Sequence, residues 1–338
     1  MALTHRIAVA VAEQSQIAEA RRTAVTVAME LGFSEERAGM VALAVTEAAT
    51  NLVKHAGGGS IVVQSLSRDG RRGIELFALD QGGGIANVAA SLRDGHSTTG
   101  TAGIGLGALS RLCSSFDVYS QPGAGTALRC VVWPGESPAP DNDLECGVIC
   151  IPIKGETACG DDWNLHAAKG RYVLLVVDGL GHGPDASAAA LTAKEIAERN
   201  AQRTPAEQMD ALHAGLRPTR GAAAAVIEVK PWSEVGTFCG VGNIACFVRV
   251  DGRTRNLASH NGILGHQVRK VQEFSFPFPR NALLYTYSDG MNSRWDPGAY
   301  PGLENRPTAL IAAVLYRDHA RGRDDTTLAV MRNIRAGV

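Results

Sequence analysis

Glu47 and Asn51 stand four residues apart, a spacing that puts both on one face if the segment is helical. A carboxylate there can accept a proton or orient a nucleophile. An amide oxygen one turn on can ligate Mg²⁺, which favours hard oxygen donors. Asp80 ends an apolar run and precedes Gly82 and Gly84. Its carboxylate can accept a hydrogen bond from an exocyclic amine such as that of adenine, and the glycines let backbone pass a flat ring with no Cβ in the way. Gly103, Gly105 and Gly107 lead into a predicted helix, where successive backbone N–H groups attract phosphates. This constellation suits ATP and one metal ion.

A second constellation lies further along. Asp161 follows Gly160, Asp178-Gly179 and Asp289-Gly290 end apolar strands, and Asp324-Asp325 precedes a final one. Carboxylates converging from separate strand ends can bridge two divalent cations, activate water and stabilise in-line displacement at phosphorus. No histidine set is placed to ligate a metal, which favours Mg²⁺ or Mn²⁺ over zinc. Taken singly, each Asp-Gly is a turn signal, and a single Gly-x-Gly-x-Gly is a loop signal. The ordered sets carry the reading. A chain holding both could add a phosphoryl group and also remove one.

The elements that must position these residues divide at Pro134-Gly-Glu-Ser-Pro-Ala-Pro-Asp-Asn-Asp143, whose prolines, glycine and polar residues stop helix and sheet. A chain of 338 residues suits two domains, here 1–133 and 144–338 around a 134–143 linker. In the first, helices are expected over 15–31, 34–55 and 106–113, and strands over 60–66, 74–79, 116–120 and 126–132. In the second, strands are expected over 146–154, 172–177, 222–229, 237–241, 245–250, 282–288 and 326–331, with helices over 186–201, 205–216 and 307–315. Both patterns indicate an α+β class. A dinucleotide-binding Rossmann site is disfavoured, because the glycines follow two helices and a hairpin rather than an opening strand.

Lys and Arg number 33 against 34 Asp and Glu, so no basic excess points to nucleic acid or an anionic membrane surface. The longest apolar runs are strand-sized and the N-terminus lacks a signal-peptide layout, which fits a cytoplasmic protein. The seven cysteines form no compact framework and are expected to be reduced. Cys146, Cys150 and Cys159 fit no common zinc spacing.

The segments Thr46-Glu-Ala-Ala-Thr-Asn-Leu-Val-Lys-His-Ala56, Asp80-Gln-Gly-Gly-Gly-Ile85 and Gly100-Thr-Ala-Gly-Ile-Gly-Leu-Gly107 resemble the nucleotide-binding boxes of the GHKL ATPases. Residues 16–132 look most like the anti-sigma-factor serine kinases of the RsbT/RsbW/SpoIIAB group. That resemblance implies a Bergerat-type α/β sandwich with Glu47 as general base, Asn51 on Mg²⁺, Asp80 reading adenine, and an ATP lid between Ile85 and Gly103. Histidine kinases share the boxes, but no phosphoacceptor helix precedes these.

The aspartate set, with Thr219-Arg-Gly-Ala222, Gly240-Val-Gly-Asn243 and Ser259-His-Asn-Gly-Ile-Leu264, resembles the PPM-type phosphatases in their SpoIIE/RsbX-like branch over 145–330. It implies an αββα sandwich in which Asp161, Asp178, Asp289 and Asp324 bind metal with help from the Gly179 carbonyl. Asp325 stands where many relatives have Asn, so which acid of that pair binds metal stays open. His182 is either a proton-transfer group or a loop histidine. No early arginine matches the phosphate-gripping residue of eukaryotic relatives. Together the resemblances imply a partner-switching regulator that phosphorylates and dephosphorylates Ser or Thr of a STAS-domain antagonist, with a sigma factor further along the pathway. The rival is a phosphatase whose ATP-binding half sequesters a protein without phosphorylating it.

Overall fold

The computed structural model describes residues 5–92 and 105–335. Gly103, and with it most of the expected lid, lies outside them. The chain forms two compact units, Met1–Pro140 and Asp141–Val338. The expected linker straddles that division. Asp141 accepts a hydrogen bond from the Tyr172 hydroxyl, and Asp143 pairs with Arg335, so its last residues are tied into the second unit.

The first unit runs β1 (Arg6–Val11), α1 (Gln14–Glu30), α2 (Glu35–Asn51), β2 (Gly59–Arg68), β3 (Arg71–Leu79), α3 (Val88–Ser91), α4 (Leu106–Leu112), β4 (Ser115–Ser120) and β5 (Thr126–Val132). The strands make one antiparallel sheet in the order β1-β2-β3-β5-β4. Ser34 opens α2 by accepting from the Arg37 N–H, with Glu35 and Glu36 on the positive end of the helix dipole. Ala38, Val41, Val45, Ala48 and Ala49 give α2 the buried stripe that packs it on the sheet beside α1. Immediately after Asn51 the chain widens into a π-helical turn, Leu52–Ala56, closed by Gly57 at φ +73°. A continuous α-helix to about residue 55 was expected. The first strand was not, because β1 is an edge strand burying only Val9 and Val11.

The second unit runs β6 (Leu144–Ile151), β7 (Asp161–Ala168), β8 (Arg171–Gly179), α5 (Pro184–Arg199), α6 (Pro205–Gly215), β9 (Ala222–Lys230), β10 (Val235–Val241), β11 (Ala245–Val250), β12 (Arg253–Leu257), β13 (Gly262–Ile263), β14 (Gln267–Val268), β15 (Phe274–Pro277), β16 (Leu283–Tyr287), α7 (Thr308–His319) and β17 (Thr326–Asn333). Its two five-stranded sheets are ordered β15-β10-β9-β8-β7 and β12-β11-β16-β17-β6. Leu174, Val176, Ile227 and Phe238 of one sheet meet Val148, Val248, Leu284 and Met331 of the other in a shared core. Helices α5 and α6 cover the outer face of the first sheet, and α7 lies on β6 and β17 of the second. The layers are therefore helix, sheet, sheet, helix. Among the described residues no helix is long and apolar enough to cross a membrane.

Candidate active sites

In the first unit, Glu47 and Asn51 lie on the last turns of α2, both partly exposed. Burial raises the Glu47 carboxyl above its ordinary value, and Lys54 opposes the shift. Helix α2 packs against β3, which ends just before Asp80, and against α4, which Gly105 caps. The fold thus gathers the described members of the nucleotide constellation around the end of α2. Asp80 is buried, and its Oδ1 accepts from the N–H groups of Gly82 (2.9 Å) and Thr126 (3.1 Å). That pair of donors fixes the carboxylate's orientation. Thr126 was not anticipated. Its only signal was position, as the first strand residue after Gly123-Ala-Gly125.

The glycines turn out to have protein neighbours as their reason. A Cβ on Gly82 would sit 2.7 Å from the Ala56 Cα, and one on Gly84, at φ +69°, 2.0 Å from the Gln121 carbonyl oxygen. The Gly82–Gly84 segment is therefore wedged between the π-turn and the β4–β5 turn, a closer approach than any side chain permits. Gly105 accepts the first backbone bonds of α4, and Gly107 is buried in its first turn.

In the second unit, Asp161 opens β7 and is paired directly across the ladder with Asp178 of β8. Asp289 follows β16 and Asp324 precedes β17, so the other two acids come from the facing sheet. Their mutual repulsion registers in their acidities. Burial first, then the charges of Asp161, Asp289, Asp324 and Asp325, push Asp178 up to about 9. Burial pushes Asp161 up to about 7, against the lowering effect of hydrogen bonds from Ser288 and Thr327. Burial also raises Asp324. Among the described residues no three His, Cys, Asp or Glu side chains already close on one point as a metal cage. What the four acids show is a concentration of like charge that a divalent cation would relieve.

Two residues to which sequence reasoning gave no role hold these acids. The Ser288 hydroxyl donates to Asp161 Oδ2 (2.6 Å), and Asn243 Nδ2 donates to Asp289 Oδ2 (2.8 Å). Ser288 directly precedes Asp289, and Asn243 ends the Gly240-Val-Gly-Asn243 segment. No spacing rule marks either. Gly179 needs its missing Cβ, which would lie 2.2 Å from the Ala186 carbonyl oxygen. His182 contacts Glu156 at 2.5 Å on an exposed loop, near enough to Asp324 to oppose its upward shift.

Asp324 and Asp325 behave differently. Asp325 is buried, with Oδ1 accepting from the Ile153 N–H (2.8 Å) and Oδ2 from the Gly160 N–H (2.7 Å). Asp324 lines an open cleft together with Asp289. An amide at 325 must turn its NH₂ towards one of those two backbone donors. Asp325→Asn is therefore expected to destabilise the second unit by about 1–3 kcal/mol, the cost of an unpaired buried group. Urea unfolding of the variant checks this, and a midpoint equal to wild type would remove the argument.

Residues 10–132 match the family described as Histidine kinase-like ATPase domain, and residues 168–334 match Stage II sporulation protein E (SpoIIE). The chain is 35% identical over 117 residues to the serine/threonine-protein kinase RsbT of Bacillus subtilis (strain 168), covering 35% of this chain and 88% of RsbT. It is 22% identical over 140 residues to the phosphoserine phosphatase RsbX of the same organism, covering 41% of this chain and 70% of RsbX. A crystal structure of RsbX in complex with magnesium matches with a TM-score of 0.51 at 19% identity, over 58% of this chain and 98% of that one. A structure from work on the bacterial stressosome as a modular system matches with a TM-score of 0.53 at 28% identity, over 56% of this chain and 99% of that one. The chain belongs, in its first unit, to the RsbT-like branch of the histidine-kinase-like ATPases, and its second unit is similar to the SpoIIE family and to RsbX.

Proposed function

We propose that this chain is a bifunctional partner-switching regulator that phosphorylates Ser or Thr of a STAS-domain antagonist and also dephosphorylates it, so governing a sigma-factor or stress-signalling pathway in the cytoplasm. The observation that carries the reading is the joining in one polypeptide of an RsbT-like unit that retains the Glu47–Asn51 pair and a SpoIIE-like unit whose four acids project from both sheets. The division falls at residues 134–143.

In the first unit ATP supplies the γ-phosphoryl group together with its magnesium ion. Asn51 contributes an oxygen ligand to that ion, and Asp80, oriented by Gly82 and Thr126, accepts from the adenine amine. Gly82, Gly84, Gly103, Gly105 and Gly107 shape the backbone around the nucleotide. Glu47 takes the proton of the substrate hydroxyl, and burial makes it a stronger base than an exposed carboxylate. Catalysis of this kind rests on positioning and charge stabilisation.

In the second unit Asp161, Asp178, Asp289 and Asp324, with the Gly179 carbonyl, hold Mg²⁺ or Mn²⁺. Asp324 is assigned over Asp325 because both Asp325 oxygens already accept backbone bonds. Those cations supply an activated water and positive charge towards the phosphoryl oxygens. Ser288 and Asn243 hold Asp161 and Asp289 in place.

The acidities set a testable pH dependence. Asp161 and Asp178 have folded values raised to about 7 and about 9 from 3.8. Without metal, their contribution to stability is intact below about pH 4 and is lost as pH rises through 7 and then 9. Melting of the metal-free second unit is expected to fall from about pH 4 to about pH 9, most steeply below about 7, and added Mn²⁺ to flatten the fall. A flat metal-free profile would count against the ligand assignment.

The function is tested by incubating the chain with γ-labelled ATP, Mg²⁺ or Mn²⁺ and STAS proteins encoded in the same genome. Label that reaches a STAS protein and persists only with Asp178→Ala supports both activities on one substrate. No label with either form refutes the kinase half.

A further inference from the structure

The hydrolytic reading leaves one requirement unmet. A phosphoserine carries close to two negative charges, and the site presents four carboxylates. Some cation outside the metal positions must draw the phosphoryl group in and orient it. No arginine early in the second unit corresponds to the one eukaryotic PPM enzymes use.

The cleft beside the acids offers a replacement. It has a volume of about 490 Å³ and is lined by Asp289, Asn292, Ala320, Arg321, Arg323 and Asp324. Two of the proposed metal ligands and two arginines thus line one cleft. The arginine-bearing loop is held against the Asp289 turn: the Arg321 N–H donates to the Gly290 carbonyl (2.8 Å), the Asn292 N–H to the His319 carbonyl (2.8 Å), and Met291 bridges Ala320. Gly322, at φ +64°, makes the sharp turn between the two arginines. Both are exposed.

Several arginines of this unit are already engaged. Arg171, Arg220, Arg249, Arg317, Arg332 and Arg335 all sit in ion pairs. The side chains of Arg321 and Arg323 make no ion pair or hydrogen bond among the described residues, although acids are close by. A guanidinium presents a planar fork of donors that matches two phosphoryl oxygens, which a bare ammonium does not.

Resting on the phosphatase reading above, we propose that Arg321 and Arg323 form the phosphate-binding arm of the second site, receiving the phosphoryl oxygens of a phosphoserine or phosphothreonine next to Asp289 and Asp324. They act by binding and orientation. The water attack and departure of the serine oxygen stay with the metal-centred groups.

The experiment compares wild type, R321A/R323A and R321K/R323K in the full-length chain with saturating Mn²⁺. Binding of inorganic phosphate is measured by calorimetry, and hydrolysis of a phosphoserine peptide by steady-state kinetics. The alanine pair should weaken phosphate and raise KM by about tenfold or more, as expected for lost charge-assisted hydrogen bonds, with Mn²⁺ affinity unchanged. The lysine pair should recover part of the loss, since it keeps charge without the fork. Because neither side chain has a partner among the described residues, melting temperature should not move. Phosphate affinity and KM within twofold of wild type, in an otherwise active enzyme, would overturn the assignment. A wild-type chain that binds Mn²⁺ yet hydrolyses no phosphoserine peptide would instead overturn the phosphatase reading, and the arm with it.

Discussion

Asp178→Ala should lower phosphoserine hydrolysis by at least about 10³-fold while making the metal-free second unit more stable. The first effect follows from Asp178's place at the centre of the acid set, with Asp161 opposite it on the ladder and Asp289 and Asp324 close enough to perturb it. Metal-held charge stabilisation is worth several kcal/mol, and each 1.36 kcal/mol is tenfold in rate. The second effect follows from the same repulsion. Near neutral pH the buried Asp178 carboxyl resists ionisation, so removing it relieves a cost that only a cation otherwise offsets. Activity and metal-free melting should therefore move in opposite directions, as stability and function often do at sites built from strain. Added Mn²⁺ should stabilise wild type and leave the variant nearly unmoved. A variant that loses activity and stability together would show that Asp178 is there for folding.

Glu47→Gln should reduce phosphoryl transfer by about 10²–10⁴-fold, the usual worth of a positioned general base. ATP binding should be retained, because Asp80 and its two backbone donors are untouched. The amide keeps the shape of the side chain and removes only its basicity. Wild-type transfer should also rise with pH through an acidic limb displaced upward from that of an exposed carboxylate, since burial raises the Glu47 pKa. The limb should vanish in the variant. Stopped-flow nucleotide binding and single-turnover transfer separate the two steps. Undiminished transfer would remove Glu47 from the chemistry. An unimpaired biological output with abolished transfer would favour the sequestering alternative, in which ATP binding alone serves.

Central strands were legible in the sequence because both faces of each are apolar or alternate cleanly. Tyr172 to Val177 and Ala222 to Val229 are continuous buried runs. The edge strands β1, β7, β12 and β15 were not, although the edge strands β4 and β6 were. β7 begins Asp-Asp-Trp-Asn and β12 reads Arg-Thr-Arg-Asn-Leu, sequences whose pairing comes from their neighbours and not from their own pattern. The π-turn after Asn51 was invisible for a related reason. Leu52 to Ala56 have ordinary helical spacing, and the close approach of Ala56 to Gly82 exists only in the folded chain.

Of the site, the strand-end acids could be read directly, since an aspartate after an apolar run has few other positions to take. Their supports could not be. Ser288, Asn243 and Thr126 are common polar residues whose roles exist only once distant strands are brought together. Asp324 and Asp325 were indistinguishable by type. What separates them is that the loop between β6 and β7 presents two backbone donors to Asp325 and none to Asp324.

The direct pairing of Asp161 with Asp178 across the β7–β8 ladder has a consequence for how the protein is made. Like charges opposite one another oppose strand pairing. A newly synthesised second unit must close this hairpin either with protons on its acids or with a cation already at hand. Divalent-ion supply should therefore set the yield of folded protein, with chelation during expression shifting the chain towards inclusion bodies and proteolysis before any turnover can be assayed.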